Sequence, residues 1–227
     1  MDKLTTMRTT YSCADTAEAL TGLRMARGAI GRGRLVVIPT DTVYGVAADA
    51  FNASAVQSLL DAKGRGRQSP PPVLIGGIET LGALAETVTP EMTKLAEAFW
   101  PGGLTIVVPA RATLTWDLGD TNDTVAVRMP DNSIALELLR ETGPLAVSSA
   151  NRTGEPAALT AAEAEAQLGE SIDVYLDGGS ASDSRSGSTI VDCTPTLIGK
   201  PVTILRDGVI SRDAIRAIVG AIAEDAS

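Results

Sequence analysis

The chain has 227 residues, 44% of them hydrophobic and only 3% aromatic, so one domain with a core of Val, Ile, Leu and Ala is the expectation. A formal net charge of −9 argues against a protein whose main work is gripping nucleic-acid phosphates. The absence of histidine excludes histidine-based catalysis, and two distant cysteines, Cys13 and Cys193, make a zinc site unexpected.

The opening MDKLTTMRTTYSC lacks a signal peptide's apolar core, and no apolar run approaches a membrane span, so a soluble, cytoplasmic protein is expected. Asp15 with Glu18 three residues on predicts a capping box, and the helix behind it runs through Leu20, Leu23 and Met25 into the glycines of RGAIGRGR. Leu35 to Pro39 reads as a buried strand that empties into a cluster of hydroxyls and one acid, PTDTVYG. Asn52 is placed to cap a helix to about Lys63. The following KGRGRQSPPP is irregular, loosened by Gly64 and Gly66 and stiffened by its prolines.

Val73 to Ile75 reads as a short strand and Glu79 to Ala85 as a helix. Thr89-Pro90 opens a helix that PGG breaks after Phe99-Trp100. LTIVVPA, TVAVRMP and PLAVSSAN read as strands, with a helix capped by Asp131 or Asn132 before the last of them. Thr160 opens another helix, VYLD, STIVDC and PVTILR are strands in succession, and Ser211 caps a final helix. Alternation followed by successive strands predicts an α/β fold, with a twisted mixed sheet of parallel and antiparallel strands and flanking helices. Residues 1–210 are read as one domain, and 211–227 as a C-terminal helix packed on it or extending from it. Residues 111–123 and Gly178–Gly187 are read as surface loops, the second with freedom to move.

Three strands end in polar residues with no evident core use: Thr40, Asp41, Thr42 and Tyr44; Arg128; and Ser148, Ser149 and Asn151. Any one of these is ordinary turn chemistry, but their recurrence points to a ligand cleft at the strand ends. Lys63, Arg65 and Arg67 interrupt an acidic chain on a glycine loop. That placement suits a phosphate chain as well as a solvated face, although the P-loop pattern is absent. Arg128, inside an apolar strand, needs a partner: either a core acid such as Asp41 or Asp192, or the carboxylate or phosphate of a ligand. Tyr44 is read either as core or as cleft wall, with Gly45 letting the backbone turn, and Asp41 as orienting its loop or pairing with Arg128.

The segments IPTDTVYGV, KGRGR, WPGGLTIVV, VAVRMP, SSANRTGEP and STIVD, in that order between about Leu35 and Arg206, resemble the YrdC/TsaC family, the threonylcarbamoyl-AMP synthases, in its single-domain form. Each motif alone is soft; six in order are specific. The resemblance implies a YrdC-like fold with a concave, positively charged pocket. It also implies a nucleotidyltransferase that makes L-threonylcarbamoyladenylate and pyrophosphate from L-threonine, bicarbonate and ATP. Partner tRNA threonylcarbamoyl transferase proteins would then use the product. By motif, Thr42, Arg128 and Ser188 fall on the threonine side, with Arg128 at the carboxylate. Lys63, Arg65, Arg67, Ser149, Asn151 and Arg206 fall on the nucleotide side, with Lys63 and Arg65 as the catalytic cations.

Two departures stand out: Leu74 or a neighbour replaces a histidine common in the threonine pocket, and PGG replaces PGP. Mg²⁺ on the phosphates is the expected helper. Rival readings are a relative that forms a carbamoyl adenylate from carbamoyl phosphate, and a non-enzymatic RNA-binding module. The net charge predicts weak tRNA binding at most, in competition with ATP.

Overall fold

The computed structural model describes residues 9–223, so the outer ends of the two segments read from the sequence, 1–8 and 224–227, lie outside the described residues. The first third of the chain forms β1 (Thr9–Ser12), α1 (Thr16–Gly31), β2 (Val36–Ile38), β3 (Gly45–Asp49) and α2 (Ala53–Lys63). The middle forms β4 (Val73–Leu74), α3 (Thr80–Leu84), α4 (Pro90–Phe99), β5 (Leu104–Pro109), β6 (Thr124–Arg128), α5 (Ser133–Thr142) and β7 (Leu145–Ser149). The last third forms α6 (Ala161–Leu168), β8 (Val174–Asp177), β9 (Thr189–Asp192), β10 (Thr203–Arg206) and α7 (Arg212–Val219).

The strands make one sheet in the order β1-β8-β2-β3-β7-β4-β6-β5-β9-β10. The pairs β1/β8, β2/β8, β4/β6 and β5/β9 are parallel, and the remaining pairs are antiparallel. The predicted caps close their helices: Asn52, Thr89, Asn132, Thr160 and Ser211 each accept a backbone N–H of the first turn. Asp15 accepts from Glu18 N at 2.8 Å, but the Glu18 carboxylate accepts from Ser12 N at 2.9 Å rather than from the cap itself. That bond ties α1 back to β1.

Two strands, β1 and β3, go beyond the sequence reading. TTYS is short, polar and at the sheet edge, and in GVAAD only Val46 favours a strand, so neither carries a strong local signal. Because β3 pairs with β2, the PTDTVY connection sits in the middle of the sheet. Gly45 does not adopt a left-handed conformation there. It stands opposite Ser149, where a Cβ would come within 2.6 Å of Val147 Cγ1, so its role is close packing rather than a turn.

Side-chain alternation sorts the core. Leu35 and Val37 pack toward α2 and α6, while Val36 and Ile38 pack toward α1 and α5. In the other half of the sheet, Ile106, Val108, Val125, Val127 and Val191 pack with Met92 and Leu95 of α4 and Ile215 of α7. Their alternates, Thr105, Val107, Ala126, Arg128 and Ile190, point to the opposite face, where they line a cleft. The ligand cleft expected at the strand ends therefore extends onto an open sheet face.

Candidate functional site

The cleft has a volume of about 430 Å³. Its floor is Val107, Ala126 and Ile190, with Leu74 and Val147 beside them, and its rim carries hydroxyls and guanidinium groups. Thr40, Thr42, Thr105, Ser148, Ser149 and Ser188 all line it, as do Arg65, Arg128, Arg185 and Arg206. No Asp or Glu is among these lining residues. Four guanidinium groups around one cleft, of which Arg65 and Arg206 have no carboxylate bonded to them while Arg128 and Arg185 are paired with Asp41 and Glu163 outside the lining, make it a site for an anion.

One side of the cleft is rigid. Arg128, only 8% exposed, comes off the end of β6 and is tied down on three sides. Its Nε donates to Gly102 O at 2.9 Å, one Nη to Thr42 Oγ1 at 3.0 Å and the other to Asp41 Oδ1 at 2.6 Å. Of the two core acids considered from the sequence, Asp41 is the partner. Burial lowers the Arg128 pKa, Asp41 opposes that shift, and a guanidinium stays charged through both. Asp41 also accepts from Asp131 N at 3.0 Å, so the acid fixes the loop as well as the arginine. Thr40 donates to Val43 O at 2.6 Å, and its hydroxyl lies 3.2 Å from that of Thr42. Across the floor, the Thr105 and Ser188 hydroxyls are 2.7 Å apart.

Tyr44 belongs to both of its readings. It is fully buried among core residues and borders the cleft. Its hydroxyl donates to Gly179 O at 2.7 Å and accepts from Gly178 N at 3.0 Å. Burial raises its pKa, so it stays a neutral pin for the 178–187 loop.

The other side holds the remaining cations. Arg65 follows the αL cap of α2, Gly64, and donates to Ser148 Oγ at 3.3 Å. Arg206 donates to Ser188 O at 2.7 Å and to Ser188 Oγ at 3.1 Å. Burial and the nearby Arg65 lower the Arg206 pKa. Lys63 does not line the cleft. It is 1% exposed, and its ammonium donates to Ser149 O, to Asn151 O at 2.7 Å and to Asn151 Oδ1 at 3.4 Å. Burial, with Arg65 beside it, pulls its pKa down to about 7. Asn151 also lies behind the cleft, donating to the carbonyls of Arg152 and Glu155.

Arg67 points elsewhere. It is 48% exposed and forks onto Asp117 at 2.6 and 3.0 Å. Of the residues singled out in the sequence, Thr42, Arg65, Arg128, Ser149, Ser188 and Arg206 converge on the cleft. Lys63 and Asn151 support it from behind, and Arg67 stands outside. Sequence reasoning missed Arg185 and Thr105. Arg185 lies in a Gly/Ser/Asp run that carries only a loop signal, and Thr105 is recognisable only through strand alternation.

Among the described residues, no group of His, Cys, Asp and Glu is arranged to hold a metal ion. No helix among them is long and apolar enough to cross a membrane.

The chain matches the Sua5/YciO/YrdC family profile, described as "Telomere recombination", over residues 28–208. It is 48% identical over 214 residues to a Mycobacterium tuberculosis protein named provisionally as a threonylcarbamoyl-AMP synthase, covering 94% of this chain and 96% of that one. It is 37% identical over 203 residues to the threonylcarbamoyl-AMP synthase of Pyrococcus abyssi, covering 88% of this chain and 58% of that longer protein. The crystal structure of P. abyssi Sua5 complexed with L-threonine superposes with a TM-score of 0.84 at 34% identity, over 95% of this chain and 62% of the other. A profile spanning most of the sheet and the whole cleft, and relatives of this similarity, establish that the chain belongs to the Sua5/YciO/YrdC family.

Proposed function

We propose that the protein is an L-threonylcarbamoyladenylate synthase, a nucleotidyltransferase acting in tRNA modification. The observation that carries this reading is the cleft itself: four guanidinium groups, a set of hydroxyls and no carboxylate in the lining. Such a lining suits a ligand set that is anionic throughout, namely a carboxylate, bicarbonate and a triphosphate. The threonine complex of the P. abyssi protein supports L-threonine as one of them.

Threonine's amine condenses with bicarbonate to a carbamate, releasing water. A carbamate oxygen then attacks the α-phosphorus of ATP. The bond from that phosphorus to the bridging oxygen breaks, and pyrophosphate leaves. No protein nucleophile is needed, and catalysis rests on alignment and on cations placed where charge develops. Arg128 takes the threonine carboxylate. Its guanidinium has five N–H donors, three are engaged, and two remain for the ligand. Thr42 and Ser188 supply hydroxyls on that side.

Arg65 and Arg206, with Ser149, take the nucleotide. Lys63 and Asn151 hold the end of β7 from behind through the Ser149 and Asn151 oxygens. Arg67 is left out of this assignment because it does not line the cleft and its guanidinium lies against Asp117 on the surface. Mg²⁺ enters as MgATP. With no carboxylate in the lining, its ligands would be phosphate oxygens and water, all of them the hard oxygen donors this ion takes. Leu74 lines the cleft and the chain has no histidine, so threonine's hydroxyl is left to the Thr and Ser hydroxyls.

The product passes to tRNA threonylcarbamoyl transferase proteins in the cytoplasm, with little direct hold on tRNA. The test is pyrophosphate release from MgATP. It should require threonine and bicarbonate together. Release driven instead by carbamoyl phosphate would transfer the protein to that rival chemistry, and tight RNA binding without turnover would make it a binding module.

A further inference from the structure

The loop Gly178–Gly187 joins β8 to β9 and passes along the cleft. It is tied down on either side of its apex. Toward β8, Tyr44 donates to Gly179 O at 2.7 Å and Ala181 N donates to Leu159 O at 2.9 Å. In the loop itself, Ser182 Oγ donates to Thr42 O at 2.7 Å. Toward β9, Val209 N donates to Gly187 O at 3.2 Å, in a contact that Gly208 makes possible, since any Cβ there would strike the backbone of Gly187 to Thr189.

Between these ties stands Arg185, whose side chain lines the cleft. Its two Nη atoms donate to Glu163 Oε2 at 2.8 Å and Oε1 at 3.0 Å, and Nη1 also donates to Ala157 O. The pair is weakly held by its surroundings, since Arg185 is 45% exposed and Glu163 40%. Glu163 also keeps partners of its own. It lies in the first turn of α6, where the helix dipole favours an anion, and its Oε2 accepts from Leu159 N at 2.9 Å. The carboxylate would therefore remain satisfied if the arginine left. Arg185 would gain by leaving, because a phosphate offers two oxygens to the same guanidinium fork with more charge.

We propose that Arg185 is a further nucleotide-binding residue, held on Glu163 before the nucleotide enters and transferred to the triphosphate of ATP when it does. The inference rests on the functional reading above. It makes the Arg185–Glu163 pair a competitor of the nucleotide rather than a brace for the loop.

The two roles give opposite signs. If Arg185 is transferred, Arg185→Ala weakens binding of a non-hydrolysable ATP analogue about tenfold, the value of one lost charge-assisted fork. Glu163→Gln, which releases the arginine, leaves that binding equal or tightens it, and neither substitution moves the KM for threonine by more than about twofold. If the pair is a brace, both substitutions remove it and both weaken analogue binding alike. Equal losses in the two variants would overturn the proposal, as would unchanged analogue binding in Arg185→Ala. Analogue binding is measured by calorimetry and is independent of turnover. If the wild type binds the analogue but releases no pyrophosphate with threonine and bicarbonate, the functional reading fails while the Arg185 test still reads out. Both residues are at the surface, and a thermal melt on each variant checks that the fold is intact.

Discussion

The two sides of the cleft hold their arginines in different ways. Arg128 comes off a central strand, is nearly buried and has three fixed protein partners, so its direction is set before any ligand arrives. Arg65 and Arg185 come from loops, one resting on a serine hydroxyl at 3.3 Å and the other on an exposed glutamate. The difference follows from what each side must do. A small carboxylate has one position to occupy, and a pre-set fork lowers the entropy lost in binding it. A triphosphate changes geometry as its α–β bond breaks, and loop-borne cations can follow that charge.

The comparison is most sharply tested at Arg128. Arg128→Met leaves the Asp41 carboxylate without its cation, with only Asp131 N still donating to it, and should lower unfolding free energy by about 3–5 kcal/mol, read by denaturant titration. Arg128→Lys keeps the charge but loses the planar fork. It should raise the KM for threonine more than about tenfold while the KM for ATP stays within about twofold. Equal rises in both would mean that the rigid side does not serve threonine alone.

On the loop side the expected effect is kinetic rather than structural. Arg65→Ala should reduce kcat/KM for ATP about a hundredfold, with unfolding free energy changed by no more than about 0.5 kcal/mol. A large loss of stability with little kinetic change would make Arg65 a structural residue and erase the contrast with Arg128.

Lys63 lies behind the loop side, at the end of β7, and its effect depends on pH. Burial and Arg65 hold its folded pKa at about 7, below the ordinary value of about 10.4 in the unfolded chain. As pH falls from about 10.4 to 7, the unfolded chain takes up a proton that the folded protein does not, so this group destabilises the fold progressively. Below about 7 both states are protonated and the penalty is constant; above about 10.4 neither is, and it vanishes. The unfolding free energy of wild type minus that of Lys63→Met should therefore rise with pH by up to about 1.4 kcal/mol per unit across that window. A difference that stays flat from pH 7 to 9 would show that the three oxygens around the ammonium outweigh its burial.

What the sequence made legible was local or motif-borne. The caps at Asn52, Thr89, Thr160 and Ser211 are short-range hydrogen-bond chemistry and are readable from a few letters. Arg128 declared itself by being a charge in an apolar strand, which left few solutions. The rest depends on what the topology brings together. Gly45 reads as a turn residue until β3 is seen pressed against Val147, and Thr105 reads as an ordinary strand residue until alternation turns it to the open face. Arg185 meets Glu163 across a loop whose composition says only that it is a loop.

Arg65 and Arg67 are the smallest and most direct test of that point. In the sequence they are equivalent, two arginines separated by a glycine in one cationic run. In the fold, Arg65 turns into the cleft, while Arg67 lies against the 117–120 segment, with Asp120 N donating to its carbonyl at 2.9 Å and Asp117 taking its guanidinium. That pair is exposed and salt-screened, so it stabilises the protein little, and it stands outside the cleft where a phosphate would bind. Arg67→Ala should shift the melting temperature by no more than about 2 °C and the KM for ATP by no more than about twofold, at low and at high salt alike. A tenfold rise in the ATP requirement that added salt removes would mean that Arg67 leaves Asp117 for the nucleotide. The stored-and-transferred behaviour argued for Arg185 would then extend to a second loop arginine.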